Sequence, residues 1–312
     1  AMLQRRVGTL RINLAHGNAR STREVITRVR QAARATGHAP ALLFDLPGGK
    51  LRLGRQRGEV VLRVGQTFTL EPGASKQTTQ QGAGINTKVL AAHVTRGDRL
   101  LLDDGKLALR VVRVDGQRVV TKVERGGALR ARLGLAIEGK ELPFANLLAS
   151  DRRRIRIAVE NGATHLGVSM VQRPEQLHAV RRALARLGRT DIKIVAKIET
   201  RSALANLDAI LAASDEVMIA RGDLRQAVGG STRALRRAEA KIAARCQAAG
   251  VSFINATGFM SAMMHGDAPS KRNLRDVERA VKQGASRIML NETAVGPRPL
   301  QTLEALQQAL GQ

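Results

Sequence analysis

The chain of 312 residues has no Trp, no Tyr, five Phe and a single Cys. Because Cys246 stands alone, an internal disulfide and a multi-cysteine metal site are excluded, and we expect this thiol to serve core packing. No apolar run approaches the ~20 residues that span a bilayer, and no charged leader precedes an apolar block. We therefore expect a soluble, cytoplasmic protein with no membrane partner.

Acidic residues are also scarce. Asp and Glu total 26 against 52 Lys and Arg, so the formal net charge is +26, which points to anionic partners. Sites for single-stranded nucleic acid interleave basic with aromatic residues, whereas here the arginines are scattered. The densest run, DRRRIR at 151–156, is typical of a solvated helix. We expect no specific nucleic-acid partner, but adhesion to polyanions at moderate salt.

Short apolar runs alternate with helical patterns along most of the chain. The runs predict strands at 9–15, 41–46, 165–170, 192–199, 216–223, 251–257 and 287–292. The helical patterns cover 21–36, 151–161, 174–187, 201–213, 231–249, 273–284 and 299–310. This alternation predicts an α/β fold whose parallel sheet is doubly wound or closed into a barrel.

Residues 53–140 break the alternation, since apolar and polar residues alternate there between Gly and Asp turns. They predict a small, inserted all-β domain with antiparallel strands. Residues 1–52 and 141–312 form the α/β domain, with about 225 residues and seven strands. A (β/α)8 TIM barrel has ~250 residues and eight strands. AMLQRRVG resembles the end of a helix that enters a strand, so we expect the missing first unit to precede residue 1.

Polar residues end several of the predicted strands, where a parallel barrel has its active site. Lys197 and Glu199 lie two apart in IVAKIET, so they share one side of their strand. The next run ends in IARGD, which contains Asp223. Two carboxylates beside a lysine suit Mg²⁺ and a phosphorylated substrate better than zinc.

Each of these features also has a structural alternative. Lys197 and Glu199 could form only an ion pair, and RGD alone is a turn tripeptide. Thr257 could cap the start of a helix, and His16 could be a satisfied polar residue at a strand end. The convergence of five strand ends favours a functional site.

The motifs resemble those of the pyruvate kinase family, in the same order along nearly the whole chain. RINLAHG is similar to the family's Arg-x-Asn-Phe-Ser-His-Gly, FDLPGGKLR to Asp-Thr-Lys-Gly-Pro-Glu-Ile-Arg, and AKIET to Ser-Lys-Ile-Glu-Asn. IARGDL, NATGFMSAM and MLNETAVG resemble Val-Ala-Arg-Gly-Asp-Leu-Gly, Ala-Thr-Gln-Met-Leu-Glu-Ser-Met and Met-Leu-Ser-Gly-Glu-Thr-Ala-x-Gly. The β insert lies where the family keeps its lid domain.

The resemblance implies a TIM barrel with a lid, which transfers the phosphoryl group of phosphoenolpyruvate to ADP and gives pyruvate and ATP. It makes Glu199 and Asp223 ligands of Mg²⁺, with Mn²⁺ as an alternative. Lys197 would stabilise the phosphoryl group in flight, and Thr257 lies where the family protonates the enolate.

Further contacts are implied in the same way. Backbone amides at Ala220, Arg221, Gly222 and Asp223, together with Thr257, would hold the substrate carboxylate. Phosphate groups of substrate and nucleotide would be contacted by Arg11, Asn13, His16 and Arg52, of which the two arginines are also catalytic candidates. Ser169 matches the serine of the family's Ser-Phe-Val-Arg.

The sequence departs from the family pattern at several places. Arg225, Gln226 and Ala227 replace Gly-Val-Glu after the ARGDL motif, and Arg132 is only a weak match for the phosphate-binding lysine of the lid. We expect no counterpart of the family's carboxyl-terminal domain, which serves tetramer contacts and effectors. We expect no regulation of that kind, although a homo-oligomer is compatible with the sequence.

The potassium site of many family members is altered. Asn13 and Asp45 are kept, but Ala15 and Leu46 replace two hydroxyl ligands, and Lys50 stands where potassium-dependent members have glutamate. We expect Lys50 to supply an internal monovalent charge, so that potassium is not required. The structural alternative is a lysine that faces solvent on a turn.

Three other functions stay open. A pyruvate kinase-like protein could use another acceptor or bind substrate without turnover. A lyase that makes or breaks carbon–carbon bonds through a magnesium enolate uses a related barrel, but needs neither a lid of this size nor a lysine beside the metal. A protein that only binds polyanions would show no magnesium-dependent turnover.

Overall fold

The computed structural model describes residues 1–15, 19–73 and 75–311. These residues form two compact units. The first, which we call the barrel unit, comprises Ala1–Gly48 and Ala145–Gln312. The second, the inserted unit, comprises Gly49–Phe144.

The helices and strands follow one another in this order. The barrel unit begins with β1 (Thr9–Asn13), α1 (Ala19–Thr36) and β2 (Ala41–Leu46). The inserted unit contains β3 (Leu51–Arg52), β4 (Arg55–Gln56), β5 (Val60–Leu62), β6 (Thr67–Pro72), β7 (Gln77–Thr78), β8 (Gly82–Ile85), α2 (Leu90–His93), β9 (Arg99–Leu102), β10 (Leu107–Asp115), β11 (Arg118–Arg125), β12 (Gly127–Leu129) and β13 (Gly134–Ile137). The barrel unit continues with α3 (Ala149–Glu160), β14 (His165–Val168), α4 (Pro174–Ala185), β15 (Lys193–Ile198), α5 (Arg201–Ala205), α6 (Leu207–Ala213), β16 (Glu216–Ala220), α7 (Arg221–Ala227), α8 (Thr232–Ala248), β17 (Phe253–Ala256), α9 (Lys271–Lys282), β18 (Arg287–Met289) and α10 (Pro299–Ala309). Short 3-10 helices lie at Leu3–Arg5, Asp103–Gly105, Ser261–Met264 and Glu292–Ala294.

The barrel unit is built on one parallel sheet in the order β1-β2-β14-β15-β16-β17-β18. Helices connect successive strands, as parallel pairing requires. At the two edges of the sheet, Arg287 Nη1 of β18 donates to Thr9 Oγ1 of β1 at 2.9 Å. The sheet therefore curls far enough to bring its first and last strands within side-chain reach.

The two faces of this sheet have different cores. Outward-facing residues such as Phe44 and Ile194 pack with the helices in one large apolar cluster. Inward-facing residues, among them Leu43, Val195 and Met218, form a smaller cluster. Because side chains alternate along a strand, the residues two positions further on, at the carboxyl ends of the strands, also face inward.

Side-chain caps and buried residues explain several local features. The hydroxyls of Thr200, Ser231 and Ser270 accept the backbone N–H three residues later and so begin α5, α8 and α9. Cys246 is buried within α8, and burial raises the pKa of its thiol to about 11. This thiol therefore packs in the core as predicted and is not a reactive nucleophile.

The inserted unit has a seven-stranded sheet in the order β3-β13-β9-β10-β11-β6-β8 and its own apolar core. Two expectations need correction here. Parallel pairing joins β6 to β8 and β4 to β7, and α2 adds a helical turn to the predicted all-β, antiparallel domain. Gly49–Phe144 is also wider than the predicted 53–140, because β3 pairs with β13, which places Arg52 in this unit.

Within the barrel unit, several predicted strands end earlier in the structure, among them 287–292, which is a strand only at Arg287–Met289. The predicted strand 216–223 ends at Ala220, and Arg221–Ala227 form α7. The predicted helix 201–213 is divided into α5 and α6 at Asn206, whose amide Nδ2 donates to Gln172 O at 2.8 Å. In the part of the chain that the structure describes, no helix has the length and apolar character of a membrane span.

Candidate functional site

Polar side chains from neighbouring strands meet at the carboxyl end of the barrel sheet. Asp45 lies on β2, Lys197 lies on β15, and Ser169 follows β14, which lies between those two strands. Asp45 and Lys197 stand two residues beyond Leu43 and Val195, so they continue the inward-facing rows of those apolar residues. The sheet itself therefore brings a carboxylate, an ammonium group and a hydroxyl together.

Lys197 is the centre of this cluster. Its ammonium nitrogen lies 2.7 Å from Ser169 Oγ, 2.9 Å from Glu199 Oε1 and 3.2 Å from Asp45 Oδ2. An ammonium group has three N–H donors, so each can have one oxygen acceptor. Only 9% of the Lys197 side chain is exposed. Lys197 thus forms two buried ion pairs, the predicted one with Glu199 and a second one with Asp45.

Asp45 anchors a second cation. Arg11 on β1 donates to Asp45 Oδ2 through Nε at 2.8 Å and also through Nη2, while Ser169 donates to Asp45 Oδ1 at 3.2 Å. Gly167 lies directly opposite on β14, where an added Cβ would stand 3.1 Å from Asp45 Oδ1. A side chain at this position would therefore crowd the carboxylate.

The charges in the cluster determine its protonation. Burial opposes ionisation of Asp45, but Lys197 and Arg11 outweigh it and lower the pKa of this carboxyl group. Burial likewise disfavours the charged form of Lys197, but Asp45 and Glu199 outweigh it and raise the pKa of the ammonium group. At neutral pH the cluster therefore contains a carboxylate and an ammonium ion.

Glu199 is held from both sides, because its Oε2 accepts the backbone N–H of Met170 at 2.8 Å while Oε1 faces Lys197. Met170 has φ = 59°, an uncommon value for a residue other than glycine. Asp223 is half-buried in the first turn of α7, after the neighbouring strand β16. Glu199 and Asp223 thus follow the carboxyl ends of adjacent strands.

These two carboxylates could hold a divalent cation. Among the residues that the structure describes, no three His, Cys, Asp or Glu side chains form a group that could bind a metal. A metal held by Glu199 and Asp223 would take further ligands from substrate or water. Oxygen donors in that number suit Mg²⁺, which retains several waters and is bound through one or two carboxylates plus substrate phosphates.

The side chain of Arg221 contacts two acids and an aromatic ring. Its guanidinium lies 3.4 Å from Glu239 of α8, 3.7 Å from Asp276 of α9 and 4.2 Å above the centre of the Phe259 ring. Its side chain is only 11% exposed. These contacts tie the start of α7 to the two following helices.

Thr257 follows β17 and has φ = 79°, a strained value for a β-branched residue. Its methyl group faces Gly222, where an added Cβ would lie 3.3 Å from Thr257 Cγ2. Its hydroxyl oxygen accepts Asn291 Nδ2 at 2.9 Å. Thr257 does not cap a helix, since the next helical turn begins only at Ser261.

Of the other predicted site residues, Asn13 lies next to the cluster, since it pairs with Asp45 across β1 and β2. Asn13 ends β1 and accepts the backbone N–H of Ala15 through Oδ1 at 3.0 Å. His16 lies outside the described residues. Lys50 and Arg52 belong to the inserted unit. There the side-chain amide of Asn86 bonds to both backbones: its Nδ2 donates to Lys50 O at 2.9 Å, and its Oδ1 accepts the N–H of Arg52 at 2.8 Å.

Two further contacts in that unit concern predicted residues. Arg52 Nη1 donates to the carbonyl oxygen of Arg132 at 3.2 Å. The Lys50 Cε atom would be 3.2 Å from a Cβ added to Gly134. Lys50 therefore has its hydrocarbon stem against β13.

Sequence reasoning missed Asn291, Met170 and the partners of Arg221. Asn291 stands within the quoted MLNETAVG motif, directly beyond a predicted strand end, so its position offered a signal. Met170 contributes only its backbone N–H to Glu199. Every residue except proline has this group, so the residue type at position 170 does not predict the contact.

Several known proteins are similar to this chain over most of its length. The family model for the pyruvate kinase barrel domain matches residues 1–303. Pyruvate kinase II of Salmonella typhimurium is 36% identical over 308 residues, which cover 95% of this chain and 62% of that protein. The pyruvate kinase of Haemophilus influenzae is 35% identical over 303 residues, with 95% and 63% covered. That of Mycobacterium tuberculosis strain H37Rv is 33% identical over 312 residues, with 99% and 65% covered.

The chain thus spans just under two thirds of the length of these curated relatives. The family match covers the barrel strands, the inserted unit and every strand end described above. On this match, the chain belongs to the pyruvate kinase family.

Proposed function

We propose that this protein is a phosphotransferase that moves the phosphoryl group of phosphoenolpyruvate to ADP and so forms pyruvate and ATP. The observation that carries the proposal is the buried Lys197 ammonium, which lies among Asp45, Ser169 and Glu199 at the carboxyl ends of the barrel strands. The relatives named pyruvate kinase support the same reaction.

Lys197 and Arg11 have the charges that this chemistry needs. In phosphoryl transfer the protein forms few covalent bonds itself. The rate depends on the positions of the reactants and on positive charge near the transferred phosphoryl group. Asp45 fixes both cations, since it pairs with each of them. A phosphoryl oxygen that replaced one acceptor of Lys197 would meet a preoriented ammonium group.

Glu199 and Asp223 are the proposed ligands of a divalent cation, Mg²⁺ or Mn²⁺. When bound, such an ion neutralises negative charge on the phosphoryl oxygens as a Lewis acid. The buried position of Glu199 and its bond from Met170 N–H support this assignment, because they fix the carboxylate in one orientation.

We assign the substrate carboxylate to the backbone amides of Ala220, Arg221, Gly222 and Asp223 and to Thr257. The contact of the Thr257 methyl group with Gly222 supports a common pocket for these groups. Thr257 is also the proposed proton donor to the enolate that remains after phosphoryl transfer. Protonation at carbon converts this enolate into pyruvate and so draws the reaction toward ATP.

Replacing Lys197 by Met is expected to lower kcat for ATP formation from phosphoenolpyruvate and ADP about 10³-fold, because the cation beside the transferred group is lost. A coupled assay of ATP measures this effect. Lys193→Met is the matched control, since Lys193 is exposed at the amino end of the same strand. Equal activity of wild type and Lys197→Met, or no ATP formation by a full-length preparation, would contradict the proposal.

Replacing Glu199 by Gln and Asp223 by Asn is expected to weaken Mn²⁺ binding more than about tenfold, since carboxylate ligands are removed. Binding is followed by electron paramagnetic resonance of free Mn²⁺, and circular dichroism checks the fold. Glu160→Gln, an exposed acid on α3, is the control. Tight binding in the double variant would place the metal elsewhere.

We also propose that potassium is not required. Two hydroxyl ligands of the family's potassium site are replaced by Ala15 and Leu46. Asn13 Oδ1 accepts the N–H of Ala15, and Asp45 already pairs with Arg11 and Lys197. The barrel unit therefore provides few oxygen ligands for a further monovalent cation. That Lys50 supplies the equivalent charge stays a prediction.

Addition of potassium chloride to a potassium-free assay is expected to change kcat less than about twofold, with tetramethylammonium chloride as the control for ionic strength. Lys50→Met should lower activity in the absence of potassium if Lys50 supplies the charge. Stimulation of tenfold or more by potassium in the wild type would refute potassium independence. Unchanged activity of Lys50→Met would refute the role of Lys50.

A further inference from the structure

The amide of Asn291 lies against the hydroxyl of Thr257. Thr257 is the first residue after β17, and Asn291 is the second residue after β18, the neighbouring strand. Asn291 Nδ2 donates to Thr257 Oγ1 at 2.9 Å. The contact therefore joins two successive strand ends, outside the regular part of either strand.

The side chain of Thr257 is fixed on two sides. Its methyl group faces Gly222 at the start of α7, and its hydroxyl faces Asn291. A φ angle of 79° is unfavourable for a β-branched residue, so the surroundings must hold it in place. These two contacts determine the direction of the hydroxyl group.

The polarity of the contact decides what the hydroxyl can do. A threonine hydroxyl has one O–H donor and two acceptor lone pairs, whereas an amide nitrogen only donates. Accepting from Asn291 occupies one lone pair of Thr257 and leaves its O–H for another acceptor. If Asn291 Oδ1 faced Thr257 instead, the single O–H group of Thr257 would donate to that oxygen and would not be available to another acceptor.

The orientation of this amide follows from its two ends. Asn291 Oδ1 is buried and has no hydrogen-bond partner among the residues that the structure describes. The amide therefore faces Thr257 with its Nδ2 donor and not with its Oδ1 acceptor.

We propose that Asn291 is a positioning residue that holds the Thr257 hydroxyl as the proton donor to C3 of the enolate. This inference rests on the proposed function. A lone pair on the enolate oxygen forms the π bond of the C2 carbonyl, the C2–C3 π pair forms the new C3–H bond, and the Thr257 O–H bond breaks with its electron pair left on Oγ. Thr257 Oγ takes a proton from solvent water through its second lone pair, so the hydroxyl is restored.

The test separates proton transfer from phosphoryl transfer. Exchange of the methyl protons of pyruvate with solvent deuterium, followed by proton NMR with Mg²⁺ and ATP present, reports the proton step alone. Rapid-quench formation of ATP in a single turnover reports phosphoryl transfer. Asn291→Leu removes the amide donor and has a side chain of similar size. Asn291→Asp keeps the shape of the side chain but replaces the donor nitrogen by an acceptor oxygen. Asn206→Leu is the control for loss of an asparagine amide that donates elsewhere.

Asn291→Leu is expected to slow methyl exchange about tenfold, a fraction of the 10²–10⁴-fold that a general acid commonly contributes. Asn291→Asp should slow it at least as much. Single-turnover ATP formation and the KM for phosphoenolpyruvate should stay within about twofold of wild type, and Asn206→Leu should exchange normally. In a Thr257→Val background, Asn291→Leu should add less than a factor of about two.

Each other result contradicts the inference. Exchange at the wild-type rate in Asn291→Leu and Asn291→Asp would show that Asn291 does not act on the proton step. A full tenfold further loss in the Thr257→Val background would show that it acts independently of Thr257. If the wild type forms ATP, these outcomes overturn the inference alone, whereas a wild type that neither forms ATP nor exchanges protons overturns the proposed function and the inference with it.

Discussion

The ion pairs of Lys197 with Asp45 and Glu199 are the interaction on which the rest of the site depends. All three side chains are nearly inaccessible to solvent, with exposed fractions of 9%, 3% and 2%. Taking such charges out of water is expensive, and mutual attraction offsets the cost only when geometry and further hydrogen bonds are good. Ser169, Arg11 and the Met170 N–H provide those further bonds. Loss of one member would leave an uncompensated buried charge, so these groups form one unit.

The barrel sheet explains why these charges can be placed so accurately. Leu43 and Val195 fill the inner face below them, and the alternation of the strands directs Asp45 and Lys197 to the same side two residues later. The backbone of the residues that follow the strands is less regular. Met170 and Thr257 both have positive φ, and each makes a hydrogen bond to a residue beyond a neighbouring strand, with Glu199 and Asn291 respectively. Two of the positive φ angles of non-glycine residues therefore lie where the polar groups meet.

Much of this arrangement could be predicted from the sequence. The alternation of apolar runs and helical patterns identified the α/β fold, and Lys197 with Glu199 could be placed on one side of a strand because the strand period is two. The RGD tripeptide was assigned to the end of a strand, whereas Ala220 ends β16 and Arg221 begins α7. An apolar run followed by Arg-Gly-Asp gives no local signal for that boundary, because Glu239, Asp276 and Phe259 hold Arg221 from distant parts of the chain.

The central claim is that Lys197 is a permanent buried cation rather than a proton acceptor. Burial without nearby carboxylates would lower the pKa of the lysine, so that its neutral form could act as a base. The most direct measurement is an NMR titration of lysine side chains labelled with ¹³C at Cε, in which the signal of Lys197 is the one missing from Lys197→Met. The account predicts that this signal shows the protonated form throughout the pH range in which exposed lysines titrate, since the carboxylates raise the pKa of Lys197. A signal that titrates below those of the exposed lysines would contradict it.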